Sequence, residues 1–158
     1  MRRRRASVVA AAIAAIVGLA VLGGCGRKPP NATPEGAVRE LLDRLRQVNG
    51  DAADAKAAFE LLSKRAQDNL SVRAQRYGAA SGKTITAEAM IAPARFVLRF
   101  EPLHFTARHA GASALVEVEG PEHQRAEVPC VLEDGAWHVD LALPSLPPVQ
   151  QRPGTEAR

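Results

Sequence analysis

The candidates for proton transfer in this sequence are Tyr77, His104, His109, Glu117 and Asp140. In an apolar cavity, a carboxylate or histidine can act as a general base while a tyrosine donates to a developing oxyanion. Strand alternation places Glu117, His138 and Asp140 opposite the apolar neighbours that would face a core. The pattern therefore predicts a solvated outer face for these side chains and no catalytic residue.

Two short motifs are similar to known catalytic loops but have the wrong spacing. Residues 78–84 have three residues between their glycines, whereas a phosphate-binding loop needs four, and they follow a predicted helix instead of a strand. Residues 111–115 lack the final glycine of a nucleophile elbow. His104 and His109 have no further ligand at a suitable spacing, and a zinc site needs three or four donors. We expect no metal and no cofactor.

Two groups of side chains are candidates for binding. The aromatic residues could line a ligand pocket or simply fill the core: Phe96, Phe100, Phe105 and Trp137. The basic residues of the third predicted helix could meet an acidic partner or lipid headgroups, or form a solvated face: Lys64, Arg65, Arg73 and Arg76. The sequence leaves both alternatives open for each group.

The charge of the chain argues against a nucleic-acid partner. The formal net charge of +4 is due entirely to Arg2–Arg5, and the charges of residues 25–158 balance. A folded domain that binds nucleic acid needs a basic surface of its own. About 134 residues remain after residues 1–24, which is enough for one domain with a sizeable core.

The N-terminus has the pattern of a secretory signal peptide. The basic start Met1–Arg5 precedes the uncharged, apolar stretch Ser7–Leu22, and small residues follow. The sequence Leu22-Gly23-Gly24-Cys25 resembles the bacterial lipobox, which implies cleavage before Cys25 and lipidation of its thiol. The alternative is an uncleaved membrane anchor, because the apolar stretch is close to the minimum length for spanning a bilayer.

The lipobox resemblance implies a bacterial envelope lipoprotein that is attached to the membrane through Cys25. An aspartate directly after the lipobox cysteine would resemble an inner-membrane retention signal, but this chain has Gly26 there. We therefore expect the protein to be anchored in the outer membrane and to face the periplasm. Residues 25–32 form the predicted tether, with Pro29 and Pro30 limiting its flexibility. Lipidation of Cys25 leaves Cys130 without a disulfide partner, and its apolar strand context predicts a buried, inert thiol.

The apolar pattern from residue 33 predicts helices. Thr33-Pro34 has the residue types of a helix start, and Asn49-Gly50 those of a helix end. Asp51 and Ser63 are the predicted N-caps of a second and a third helix. Three helical stripes are predicted to face inward: Val38, Leu41, Leu42, Leu45 and Val48; Ala55, Ala58, Phe59 and Leu62; Ala66, Leu70, Ala74 and Tyr77. A short helical turn is expected between Thr86 and Ile91.

From Arg95 the apolar period changes to two, which predicts strands. A first strand from Arg95, broken at Pro102, is followed by strands near residues 104–109, 114–119, 126–132 and 137–141. Glu133-Asp134-Gly135 is the predicted turn between the last two. This order favours an α+β fold with helices on one face of an antiparallel meander, and residues 144–158 read as a disordered tail.

Helices followed by a sheet ending in "VPCVLEDGAWHVDL" resemble the NTF2-like, cystatin-like α+β cone superfamily. The segment "TPEGAVRELLDRLRQVNGDAADAKAAFELLSKRAQ" is similar to the opening of small bacterial lipoproteins of that group. The resemblance covers residues 33–143. It implies two or three helices packed on a curved antiparallel sheet.

The resemblance also bears on function. That superfamily contains isomerases and dehydratases as well as non-enzymatic domains, so the fold alone does not choose between them. We expect a non-catalytic lipoprotein that binds a protein partner or small ligand at the membrane surface. The alternatives are a small-molecule isomerase or dehydratase and a structural or assembly factor of the cell envelope.

Overall fold

The computed structural model describes residues 28–48, 51–91, 98–144 and 146. The predicted signal peptide, Cys25, Phe96 and nearly all of the predicted tail lie outside these ranges. Within them, no helix combines the length and apolar character needed to cross a membrane.

Three helices come first, with the bounds α1 Pro34–Gln47, α2 Ala52–Glu60 and α3 Lys64–Ser81. Their predicted N-caps are confirmed, since the side chains of Thr33, Asp51 and Ser63 each accept a hydrogen bond from a backbone N–H of the first helical turn. Gly82 ends α3 in the left-handed conformation with a φ of 68°. Short 3₁₀ turns at Pro30–Ala32 and Glu88–Met90 complete the helical half.

A four-stranded antiparallel sheet follows, with β1 His104–Ala110, β2 Ser113–Glu119, β3 Arg125–Glu133 and β4 Ala136–Val139. The strands pair in sequence order and the sheet does not close. Asp134 and Gly135 both have positive φ, as the tight turn between β3 and β4 requires. The predicted α+β class with an antiparallel meander is therefore confirmed.

The core lies between α1 and one face of the sheet. Helix α1 contacts all four strands. Its apolar stripe is almost fully buried, as are the facing strand residues Val116, Val118 and Val139. Burial of apolar area at about 25 cal/mol per Å² makes this layer the main source of stability. The predicted helical stripe over residues 38–45 is confirmed.

The strand predicted from Arg95 is wrong for the described residues 98–103, which are irregular. Pro102 has no N–H to donate to a ladder, and the strand begins only after it. Leu98 and Phe100 pack against the core from this loop. The Phe100 ring lies over Gly120, where an added Cβ would be only 2.3 Å from the ring. The alternation of apolar residues that predicted a strand is thus due to Leu98 and Phe100, which pack against the core from a loop.

The edges of the sheet are occupied in different ways. At β4, Leu62 forms a parallel bridge with Val139, whose N–H donates to the Leu61 carbonyl at 2.8 Å. At β1, the N–H of Ala107 donates to the carboxylate of Glu35 on α1 at 3.2 Å. The helical half therefore contacts the sheet at both edges as well as across its face.

Candidate functional site

The proton-transfer candidates on α3 and β1 occupy different surroundings. Tyr77 was expected to face inward, but its side chain is 58% exposed because it lies at the edge of the apolar stripe, beyond the buried Ala74. His104 is exposed at the start of β1. His109 packs edge-on against Trp137, with 5.4 Å between the ring centroids. Tyr77, His104 and His109 therefore lie in three different environments.

The predicted outer face of the sheet is less solvated than expected. Glu117 is half-buried because Arg125 lies over it at 3.0 Å. His138 is also half-buried, and its Nδ1 has no hydrogen-bond partner among the described residues. Asp140 leaves only 20% of its side chain exposed. These side chains alternate with buried neighbours as predicted, but they are only partly solvated, most clearly Asp140.

Asp140 connects the end of β4 to the start of α3. Its Oδ1 accepts from the Ser63 hydroxyl at 2.6 Å, and Ser63 in turn accepts the N–H of Ala66. Arg65 donates to both carboxylate oxygens, at 3.0 and 2.8 Å. Burial raises the pKa of Asp140, but the hydrogen bonds from Arg65 and Ser63 outweigh it, and the pKa lies below its usual value. These contacts give Asp140 a structural role, because they link the end of β4 to the start of α3.

The basic residues of α3 also make internal contacts. Lys64 pairs with Asp134 at 2.8 Å, and Arg65 pairs with Asp140. Arg73 donates to Asn69 within α3 and to the Pro144 carbonyl. The fourth, Arg76, is half-buried. Three of the four basic residues that were candidates for binding a partner are therefore engaged in contacts between α3 and residues 134–144.

The aromatic residues belong to the core and its margin. Trp137 is buried, and Phe100 and Phe105 are partly buried against the core cluster. Arg39 lies over the Phe105 ring, 4.9 Å from its centroid. Of the two alternatives, the structure favours core packing for these three residues, and Phe96 lies outside the described residues.

A cleft of about 600 Å³ lies elsewhere, between α3, the turn Glu88–Met90, β3 and the chain after β4. We call it the α3 cleft, and its lining residues are Leu70, Arg73, Met90, Leu98, Glu127, Val128, Pro129, Leu141, Ala142, Leu143 and Pro144. Its volume is within the range of small-molecule sites, about 300–1,000 Å³. Aliphatic side chains dominate the lining, so the cleft favours an apolar molecule.

The polar side chains of the α3 cleft already have partners. The Arg73 guanidinium donates to Asn69 Oδ1 at 2.6 Å, and Glu127 pairs with Arg108 at 2.5 Å. Because these contacts fix the positions of Arg73 and Glu127, the two side chains form a rigid polar rim that would orient a bound molecule. The aliphatic walls supply the contact area. Sequence reasoning missed this site. Leu70 is buried in the core as predicted, but its contribution to the cleft wall, together with that of Leu141, was not predicted. The one sequence signal was the apolar alternation that continues to Leu143, beyond the end of β4.

No group of three or more potential metal ligands occurs in the described part of the chain. Cys130 has 1% of its surface exposed, which confirms the predicted buried thiol. Its Sγ lies 3.9 Å from the carbonyl oxygens of Pro34 and Val128. Burial, with smaller contributions from Glu35 and Asp140, raises the pKa of the thiol to about 12.

We expect Cys130 to resist alkylation in the folded protein. A chain that lacks residues 1–25 has Cys130 as its single thiol. At pH 8, iodoacetamide should leave the folded chain unmodified and should add one group in guanidinium chloride, as measured by intact mass. Rapid modification of the folded chain would contradict the buried thiol, provided that circular dichroism shows native structure.

Comparison of the chain with protein families, curated proteins and solved structures finds no significant match.

Proposed function

We propose that this chain is a lipid-anchored protein of the bacterial cell envelope whose folded domain binds a small apolar molecule. The observation that carries the binding function is the α3 cleft, a concave site of about 600 Å³ with mainly aliphatic walls. The protein acts by holding its ligand at the membrane surface without chemical conversion.

The anchor is supported by the order of features at the N-terminus. A basic start, the apolar stretch Ser7–Leu22 and the residues Gly23-Gly24-Cys25 follow each other as in a lipoprotein signal peptide. Several acyl chains on Cys25 would hold the protein firmly, whereas one chain gives only marginal binding. Gly26 after the cysteine supports the outer membrane, facing the periplasm.

A small ligand fits this site better than a protein partner does, because the apolar surface is concave. Binding fits better than isomerisation, because the predicted proton-transfer candidates lie outside the cleft and the carboxylate in its lining, Glu127, is paired with Arg108. Tyr77 is exposed on α3, His109 packs on Trp137, and Asp140 is held by Ser63 and Arg65. The residues that do line the cleft provide apolar contact and a polar rim.

The α3 cleft is tested with an apolar fluorophore and a chain that lacks residues 1–25. N-phenyl-1-naphthylamine should bind the wild-type domain with increased emission. Met90→Glu places a carboxylate in the apolar lining, and burying a charge there should weaken binding at least about tenfold. Titration by fluorescence measures both dissociation constants.

The matched control is Val72→Glu, which adds the same charge to α3 at a position that is 41% exposed and outside the cleft lining. We expect it to bind the fluorophore as the wild type does. Equal affinities for wild type and Met90→Glu, or no binding by folded wild type, would show that the cleft is not a ligand site.

A further inference from the structure

The last residues of the predicted tether are part of the folded domain. Pro30–Ala32 form a 3₁₀ turn, which the Ala32 N–H closes by donating to the Pro29 carbonyl at 2.9 Å. This turn packs on α1 so closely that a Cβ at Gly36 would lie 2.0 Å from the Pro30 carbonyl oxygen. It also contacts β4. Residues 30–32 therefore add no free length to the tether.

The short remaining tether limits how far the domain can stand from its anchor. Three residues separate Cys25 from Pro29, and even a fully extended chain spans at most about 14 Å between these two positions. If residues 30–32 were free, the reach to Thr33 would be about twice as long. The packed turn thus halves the distance over which the domain can move away from Cys25.

We propose that the surface around this turn is a membrane-facing surface, held against the lipid headgroups of the bilayer that carries the anchor. We call it the tether face, and its residues are Pro30, Asn31, Glu40, Arg44, Ala57, Glu60 and Leu61. This inference rests on the proposed lipidation of Cys25. It adds an orientation in which the face toward the membrane shares no residue with the α3 cleft.

The charges of the tether face fit a headgroup layer. Arg44 pairs with Glu40 at 2.8 Å, and Lys56 lies 3.9 Å from Glu60. Arg44 also lies 3.1 Å from Asp54, so that, with the exposed Lys28 beside the turn, three cations stand against three carboxylates around this face. The face therefore carries no excess negative charge that would repel anionic lipids within a Debye length of about 8–10 Å.

The orientation can be measured with Trp137, the single tryptophan of the chain, on the strand that contacts the turn. Lipidated protein is reconstituted in phosphatidylethanolamine and phosphatidylglycerol vesicles that contain dansyl-phosphatidylethanolamine. Energy transfer from Trp137 to dansyl should be efficient in the wild type. A ten-residue Gly/Ser insertion between Arg27 and Lys28 adds about 17 Å of average reach and should lower transfer at least about twofold.

A second variant releases the turn without lengthening the chain. In Gly36→Ala the new Cβ displaces Pro30, so we expect transfer between that of wild type and insertion variant, with native circular dichroism. Equal transfer in vesicle-bound wild type and insertion variant would overturn the tether face while leaving the lipid anchor intact. If the wild-type protein isolated from cells carries no lipid and does not bind vesicles, both the anchor and this orientation are overturned.

Discussion

The Cys25→Ala variant is expected to lose its lipid and to keep residues 1–24. The Cys25 thiol is the atom to which the diacylglyceryl group would be attached, so alanine removes both the modification and the processing that depends on it. Wild-type cells fed a clickable palmitate should yield a labelled chain that begins at Cys25. The variant should yield an unlabelled, longer chain, as measured by in-gel fluorescence and intact mass.

Cys130→Ala is the matched control for this experiment. It removes the other cysteine of the chain, which is buried in β3, and should keep the label and the processed N-terminus. An unlabelled wild type of full length would contradict the lipoprotein proposal. Residues 7–22 would then be an uncleaved membrane anchor, and the outer-membrane location would lose its support.

The Asp140→Ala variant is expected to lower the free energy of unfolding by about 2 kcal/mol at pH 7. The substitution leaves the buried Ser63 hydroxyl without the acceptor that it contacts at 2.6 Å. It also leaves Arg65 without its carboxylate partner. Asp140→Asn keeps an oxygen for Ser63 but loses the charge, so we expect a smaller loss of about 1 kcal/mol. Urea denaturation followed by Trp137 fluorescence measures both values.

The pH dependence of the free energy of unfolding distinguishes the contribution of the Asp140 charge from that of its hydrogen-bonding shape. The pKa of Asp140 is lowered in the folded chain, so its ionised form contributes stability above the unfolded pKa of about 3.9. That contribution disappears as the pH falls through the lower folded pKa. The difference between wild type and Asp140→Asn should therefore be constant from pH 5 to 7 and shrink below about pH 4.

Asp134→Asn is the control for this prediction, because Asp134 forms an exposed ion pair with Lys64. We expect it to change the free energy of unfolding little, since exposed ion pairs are screened by water. If Asp140→Asn and Asp134→Asn were equally mild at pH 7, the link between β4 and α3 would not contribute to stability as described.

The helices were predictable because their signals are local. Thr33, Asp51 and Ser63 are capping residues whose partners lie within three positions, and the stripe of α1 repeats over several turns. The hairpin turn at Asp134–Gly135 is equally local. Such features depend on short-range backbone geometry, which neighbouring residues determine almost completely.

The errors in the fold have a common physical origin. Leu98 and Phe100 alternate as in a strand, but Pro102 and the ring contact at Gly120 hold them in a loop. Tyr77 has helical spacing with Ala74 but lies beyond the reach of the core. Periodicity reports which side chains are apolar, and only the packed structure decides which of them are covered.

The parts of the proposed function differ in what the sequence can reveal. The lipidation of Cys25 is proposed from adjacent residues and needs no fold. The α3 cleft brings together Leu70, Leu98, Val128 and Leu143, which are at least 15 residues apart in the sequence and belong to four different segments. No local pattern distinguishes a leucine that lines an open cleft from one that fills a closed core.

The occupied edges of the sheet bear on self-association. An open sheet exposes unpaired backbone groups along its outer strands, and other chains can add there as further strands. In this protein Leu61 and Leu62 already bind the outer edge of β4, and the Glu35 carboxylate takes the Ala107 N–H at the middle of β1. An incoming strand at β1 would have to displace a charged group. Edge-to-edge polymerisation is thereby disfavoured, even where many copies are concentrated on one surface.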